Sequence, residues 1–298
     1  MTDDVLRPTD EVRDALGSGR PVVALETSVL SHGLPADAAG RAAADMDAAV
    51  RNRDGVPAWI WTDEGAVRIG AGPKDLERLI ETRSLKVARR DLPAAVARSD
   101  SGGTTVSATL WAAHRAGIEV AATGGIGGVH PGYGDVSADL GELGRTPATL
   151  VCSGPKSILD PAATLERLEE LGVPVIGYRC DRLPFFVVRE TSLELDHRAD
   201  DPGAVANVVR ARRVLGIDAA LVVANPVPED AALSPDEVAA AVDECRDRAS
   251  DRGIAGKALT PFLLRCLGER TGGAAVGANL ALLASNAGLA AEVAAEVA

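Results

Sequence analysis

The stretch VAATGGIGGVHPGYGDVSADLGELGRTPATLVCSGPK, residues 120–156, contains the pattern that decides the fold. An apolar run, Ile118 to Ala122, breaks into a glycine-dense turn, Thr123 to Gly128, which neither a helix nor a strand interior tolerates. Two carboxylates follow, Asp135 and Asp139 flanking Ser137, spaced i and i+4 so that one helical turn would carry both on a shared face. A second apolar run, Ala148 to Cys152, opens into Ser-Gly-Pro-Lys and places Lys156 at a strand exit. Glycine loop, paired carboxylates and an amine suit an anionic substrate and a hard cation.

Outward from this stretch, short apolar runs alternate with helical patterns. Val22 to Leu25 reads as a buried strand with Glu26 at its exit, where α/β proteins place active-site carboxylates. His32 and Gly33 make a turn before a helix from Ala36 to about Arg53, and PAWIWTDEGAVRIG, with Gly65 near its middle, reads as a hairpin. A short helix around Asp75 to Glu81 follows. Beyond Lys156 come a helix Ala163 to Leu171, strands VPVIGYRC and FFVVRE, a helix Ala204 to Leu215 and a strand ALVVANPVP. Three helices close the chain: Ser234 to about Ser250, with Pro235 suited to its first position, Pro261 to Glu269, and one from Asn279 onward, where Asn279 would be the N-cap. This alternation predicts a largely parallel or mixed sheet covered on both faces.

The 298 residues suffice for one large α/β domain, with residues 1–20 a helical lead-in, and no linker forces a second. Aromatic residues make up 3%, so Ala, Val, Leu and Ile must fill the core. A net charge of −12 argues against a bound nucleic-acid polymer, which needs a basic surface. Cys152, Cys180, Cys245 and Cys266 show no metal spacing and read as buried thiols of a reducing compartment. With a charged N-terminus and no apolar run near the ~20 residues of a membrane span, a cytoplasmic protein without membrane contact is expected.

Of 31 basic residues only Lys74, Lys86, Lys156 and Lys257 are lysines, so a lysine at a strand exit is a candidate for work arginine cannot do, such as forming an imine. Lys86, with Arg89 and Arg90, forms the most basic cluster of an acidic chain and would attract a phosphate. The neighbouring GGTTVSATL segment starts a helix whose free N–H groups could hold an anion. TGGIGGVHPG is not a dinucleotide fingerprint, because His130 and Pro131 stand where the third glycine and a continuing helix belong. Its glycines instead suggest backbone N–H groups converging on an anion, with His130 at the edge.

ALETSVLSHGLP, KVARRDLP, GTTVSATL, ATGGIGGVHPG, DVSADLGEL, CSGPKSILD, GVPVIGYRCDRLPFF, VVANPVPE and TPFLLRCLGERTGG, in this order, resemble the pseudouridine-5'-phosphate glycosidases, the indigoidine synthase A family, from about Pro21 to the end. The resemblance implies a three-layer α/β/α sandwich, a homotrimer, a divalent metal (most often Mn2+), and reversible conversion of pseudouridine 5'-phosphate and water into ribose 5-phosphate and uracil. It assigns Lys156 as the nucleophile that forms a Schiff base, Glu26 as the proton donor, and Asp135 as the metal ligand. Lys86, Val106 (through its backbone), Ser137, Ala138 and Asp139 match substrate contacts. Thr123 and His130 would complete the phosphate pocket, and Asn279 would bond the uracil edge. A separate kinase would supply the phosphorylated nucleoside. The alternatives are a Schiff-base enzyme acting on another C-ribosyl phosphate, and a noncatalytic phosphosugar-binding module.

Overall fold

The computed structural model describes residues 5–82, 84–132 and 134–298, with the backbone alone at Lys257. Residues 1–4 of the expected lead-in lie outside the described residues. The rest of the lead-in is not wholly helical: β1 (Leu6–Pro8) adds to the edge of the sheet, and α1 (Asp10–Gly17) follows, capped by the Thr9 hydroxyl, which accepts from Val12 N. Next come β2 (Val22–Glu26), α2 (Ala36–Arg51), β3 (Val56–Asp63) and β4 (Ala66–Ile69). Then α3 (Pro73–Glu81), β5 (Leu85–Val87), α4 (Leu92–Ala97), β6 (Gly102–Thr104) and α5 (Val106–Arg115) lead to β7 (Val120–Ala122). The second half runs α6 (Ala138–Leu143), β8 (Thr149–Cys152), α7 (Pro161–Glu170), β9 (Val175–Tyr178), β10 (His197–Ala199) and α8 (Pro202–Leu215). It closes with β11 (Leu221–Ala224), α9 (Pro235–Asp251), α10 (Leu259–Arg270) and α11 (Ala274–Val297).

The strands form one mixed, mostly parallel sheet in the order β1-β4-β3-β2-β7-β8-β11-β9-β10, with β6 pairing β3 and β5 pairing β6. Among the described strands, β3–β4 and β3–β6 pair antiparallel and the other pairs are parallel. The β3–β4 hairpin turns at Glu64 and Gly65, both at positive φ, the backbone that matches the strand twist. Strands β2, β3, β7, β8, β9 and β11 are buried along their whole length, as parallel strands covered on both faces must be. Their side chains alternate between two helical layers. Val23 and Leu25 of β2 face α2 and α8 to α11, while Val22 and Ala24 face α1 and α4 to α7. The result is the expected three-layer α/β/α sandwich.

Helix α11 has the length and apolar composition of a membrane span, a stretch the sequence did not suggest. It serves as the central helix of its layer, packed on α2, α8 and strands β2, β7 and β8, with Ala287, Ala290 and Ala291 fully buried. Small residues let it approach α2 and the sheet closely, which is how an aromatic-poor chain fills its core. The helix begins at Ala274 because Gly272 and Gly273 both take positive φ, so Asn279 lies within its second turn and is not an N-cap.

Three further expectations are corrected. FFVVRE is a tight turn, with Phe185 N donating to Val188 O at 3.0 Å. The edge beside β9 belongs instead to β10, so these apolar residues have no strand to pair with. Asp135 precedes α6, whose N-cap is Ser137, so Asp135 and Asp139 do not share a helical face. Finally, the four cysteines are not all thiols: Cys245 of α9 and Cys266 of α10 form a disulfide, leaving Cys152 and Cys180 free. Burial raises these two thiols, to about 12 and about 11 respectively. The disulfide spans a sequence separation of 21 residues. Closing such a loop is worth about 3 kcal/mol through the unfolded state, so Cys245→Ser or a reductant should lower the unfolding free energy by about that amount. Urea titrations with and without reductant check it.

Candidate active site

The carboxyl ends of β2, β7 and β8 converge on one cleft. Glu26 ends β2 and is 3% exposed. Its Oε1 accepts the Thr123 hydroxyl from the first residue past β7, and its Oε2 accepts the Ser28 hydroxyl at 2.7 Å. Lys156 lies past β8, with its backbone N–H on Ile126 O at 3.1 Å, so the lysine loop and the glycine turn hold each other. Further bonds between them run from Ser153 N to Gly124 O and from Ile126 N to Gly154 O.

The cleft has two parts. A narrow inner chamber of about 30 Å³ is lined by Glu26, Lys156, Lys86, Thr123, Asn279 and Phe186, among others. An outer chamber of about 570 Å³ shares Glu26, Lys86 and Lys156, and adds His130, Asp135, Ser137, Ala138 and Asp139. The outer volume is that of a small-ligand site. A larger groove of about 1210 Å³ between α1, α2 and α3 contains neither lysine of the cleft nor a histidine, and we place no chemistry there.

Lys86, in the middle of β5, faces both chambers. Asn279 is 6% exposed, and its buried Oδ1 has no hydrogen-bond partner among the described residues, which leaves an acceptor for an N–H donor in the inner chamber. The His130 ring shares a hydrogen bond with the Thr260 hydroxyl (3.2 Å), joining the glycine loop to α10. Burial lowers its pKa from the usual imidazole value, against an opposing pull from Asp135. Val106 opens α5 with its side chain in the core.

The glycine turn does not form the expected anion nest. None of Gly124, Gly125, Gly127 and Gly128 has positive φ. Two of its N–H groups serve the protein itself: Gly127 N donates to Asp139 Oδ2 at 3.0 Å, and Ile126 N to Gly154 O. Ser107 N, in the first turn of α5, donates to Asp139 Oδ1 at 3.0 Å. The anion held by the turn and the helix is therefore the buried Asp139 carboxylate. The glycines are needed for close approach: a Cβ at Gly127 would stand 2.2 Å from Ser137 Oγ, and one at Gly128 would stand 2.3 Å from Thr164 Oγ1.

Several residues that support the site went unread in the sequence: Ser28, Ser153, Asn225, Asn286, Phe186 and Thr260. Asn286 had a visible signal, a lone amide within the apolar LALLASNAGLAA. Phe186 had none, because its role depends on a left-handed backbone (φ +58) that presses its ring on Gly125.

Among the described residues no cluster of three or more His, Cys, Asp or Glu side chains could hold a metal ion. Of the carboxylates lining the outer chamber, Glu26, Asp91 and Asp139 accept hydrogen bonds from the chain, which leaves Asp135, with His130 beside it, as the candidate ligand. It fits only a hard cation that keeps most of its water.

Fold and cleft together define an α/β protein with an amine and a buried carboxylate converging at the carboxyl ends of a parallel sheet. The family model for indigoidine synthase A like protein matches residues 11–296. A pseudouridine-5'-phosphate glycosidase of Methylobacterium nodulans is 48% identical over 95% of this chain and 86% of its own. The crystal structure of an indigoidine synthase A-like protein from Thermotoga maritima superposes with a TM-score of 0.91 at 36% identity, covering 98% of this chain and 96% of that one. The prealnumycin C-glycosynthase AlnA, solved with ribulose 5-phosphate, gives a TM-score of 0.90 at 37% identity, covering 98% and 97%. This chain belongs to the indigoidine synthase A-like family.

Asp139→Asn would turn an amide N–H2 toward one of the two backbone donors, Ser107 N or Gly127 N. The loss should be about 1.5–3 kcal/mol of stability, read as a lower urea midpoint with an unchanged slope.

Proposed function

We propose that this chain is a pseudouridine-5'-phosphate glycosidase that reversibly cleaves the bond between ribose C1' and uracil C5. The observation that carries this reading is the convergence of Lys156 and Glu26 on one cleft. Ordinary glycosidases expel a leaving group through a heteroatom. Here the leaving atom is carbon, so the sugar needs an electron sink and the base needs a proton on carbon.

The Lys156 amine bonds to C1', and the C1'–O4' bond breaks with O4' taking the proton that the lysine nitrogen loses, which opens the ring. Glu26 then delivers its proton to C5 of uracil. The C1'–C5 bond breaks with its electrons passing into the uracil ring, while the lysine nitrogen lone pair forms the C1'=N bond of a Schiff base. Water hydrolyses this, releasing ribose 5-phosphate, restoring the amine and returning to Glu26 the proton that it gave to uracil. The Thr123 and Ser28 hydroxyls hold the Glu26 carboxylate toward the base. Lys86, with Arg90 on the same chamber wall, supplies positive charge for the 5'-phosphate. Asn279 Oδ1 accepts a uracil N–H, which requires the inner chamber to widen at Phe186 or Leu264. Ser137, Ala138, Thr123, His130 and the Val106 backbone complete the sugar-phosphate surroundings. Asp139 contributes by fixing the turn.

Asp135 would hold a hydrated divalent cation, most often manganese, which supplies positive charge to polarise substrate oxygens. The reading extends to a homotrimer of single-domain, cytoplasmic subunits fed by a separate kinase. A Schiff-base enzyme acting on another C-ribosyl phosphate has the same sugar half, and the likeness to AlnA favours keeping it as a second reading.

Purified protein with manganese, ribose 5-phosphate and uracil should form pseudouridine 5'-phosphate, identified by chromatography and mass spectrometry. Chelator should suppress it. Lys156→Ala should abolish turnover while calorimetry still detects ribose 5-phosphate binding. Full activity in that variant would overturn the mechanism, and a product made only with a different base would favour the second reading.

A further inference from the structure

Strands β7, β8 and β11 are consecutive neighbours in the sheet, and the residue just past each is polar: Thr123, Ser153 and Asn225. All three bond to one side chain, Asn286 of α11, which is wholly buried. Its Nδ2 donates to Thr123 O at 2.9 Å, Ser153 Oγ at 3.1 Å and Gly124 O at 3.3 Å. Its Oδ1 accepts Asn225 Nδ2 at 2.9 Å, and that amide also donates to Ser285 Oγ. The amide has only one workable orientation, because two backbone carbonyls can be met by N–H2 and not by C=O.

We infer that Asn286 is a positioning residue for catalysis, setting the separation between the Glu26 side of the cleft and the Lys156 side. This rests on the reading proposed above. Thr123, whose carbonyl Asn286 holds, gives its hydroxyl to Glu26. Ser153, three residues before Lys156, is gripped at its hydroxyl by the same amide and donates its N–H to Gly124 O. Ser153 O in turn accepts Phe186 N at 2.7 Å, so the aromatic wall of the inner chamber follows the same clamp. Asn286 lines neither chamber; it acts through Thr123 and Ser153. Displacing reacting groups by a fraction of an ångström lowers the rate of a step between them more than it lowers binding of one partner.

The test compares Asn286→Ala and Asn286→Asp with Leu289→Ala, a buried residue of the same helix outside the cleft. Amide exchange at Ile126 and Ser153 should quicken at least about tenfold in the Asn286 variants and not in the control. The kcat for uracil release per folded molecule should fall about 100-fold, while affinity for ribose 5-phosphate changes less than about threefold. If Asn286→Ala fails to fold, Asn225→Ala, which removes the donor to Asn286 Oδ1 and the bond to Ser285 Oγ but leaves the Asn286 amide in place, should give the same directions at smaller size. Exchange no faster than in Leu289→Ala overturns the clamp, and faster exchange with kcat unchanged overturns its role in catalysis. A wild-type protein that releases no uracil sinks the functional reading alone, and the exchange result still decides the clamp.

Discussion

The Asn286 amide is the constraint on which the site depends. A parallel sheet delivers several chain exits to one edge, and each exit leaves polar backbone groups that cannot be solvated once a helix covers them. Here the covering helix carries two amides, Asn279 and Asn286, seven residues apart and so on one face. Asn286 satisfies the exits of three strands. Asn279 keeps a free acceptor over the inner chamber. A single hydrogen bond contributes about 1 kcal/mol net, but leaving such carbonyls buried and unmet costs about 1–3 kcal/mol each. The clamp therefore matters chiefly through the penalty for its absence.

A second bracket stands on the opposite layer. Asp139 spans Ser107 N and Gly127 N, tying the start of α5 to the glycine turn. Behind it the buried Glu142 accepts Arg89, Arg145 and the Thr146 hydroxyl, which fixes α6 and the basic segment after β5. Between the brackets, Glu26 reaches the cleft from the end of β2, Lys156 from just past β8 and Lys86 from the middle of β5. Around the Lys156 amine the hydrogen bonds of Glu26 and Asp139 are met within the protein, and the Asn279 acceptor is left over.

Much of this was legible because its causes are local. Apolar runs such as Val22–Leu25 and Ala148–Cys152 can only be buried parallel strands, and a carboxylate or lysine at their exits is thereby placed at the site. What escaped depends on partners distant in sequence. FFVVRE has strand residues but no open edge. The glycine turn looked like a nest, and only the fold reveals that Asp139 consumes its donors. Cys245 and Cys266 pair because α9 and α10 lie side by side, which no spacing announces. Asn279 lies inside α11 because the helix already starts at the left-handed Gly272–Gly273 turn, whose conformation the local sequence around Asn279 does not reveal.

The central claim is that the Lys156 amine meets the sugar carbon while Glu26 serves only the base. Treating the protein with ribose 5-phosphate and borohydride, then mapping peptides by mass spectrometry, tests it most directly. The account predicts a reduced adduct on Lys156 in the wild type and equally in Glu26→Gln, although that variant releases no uracil from pseudouridine 5'-phosphate. An adduct on another lysine, or none on either protein, would contradict it.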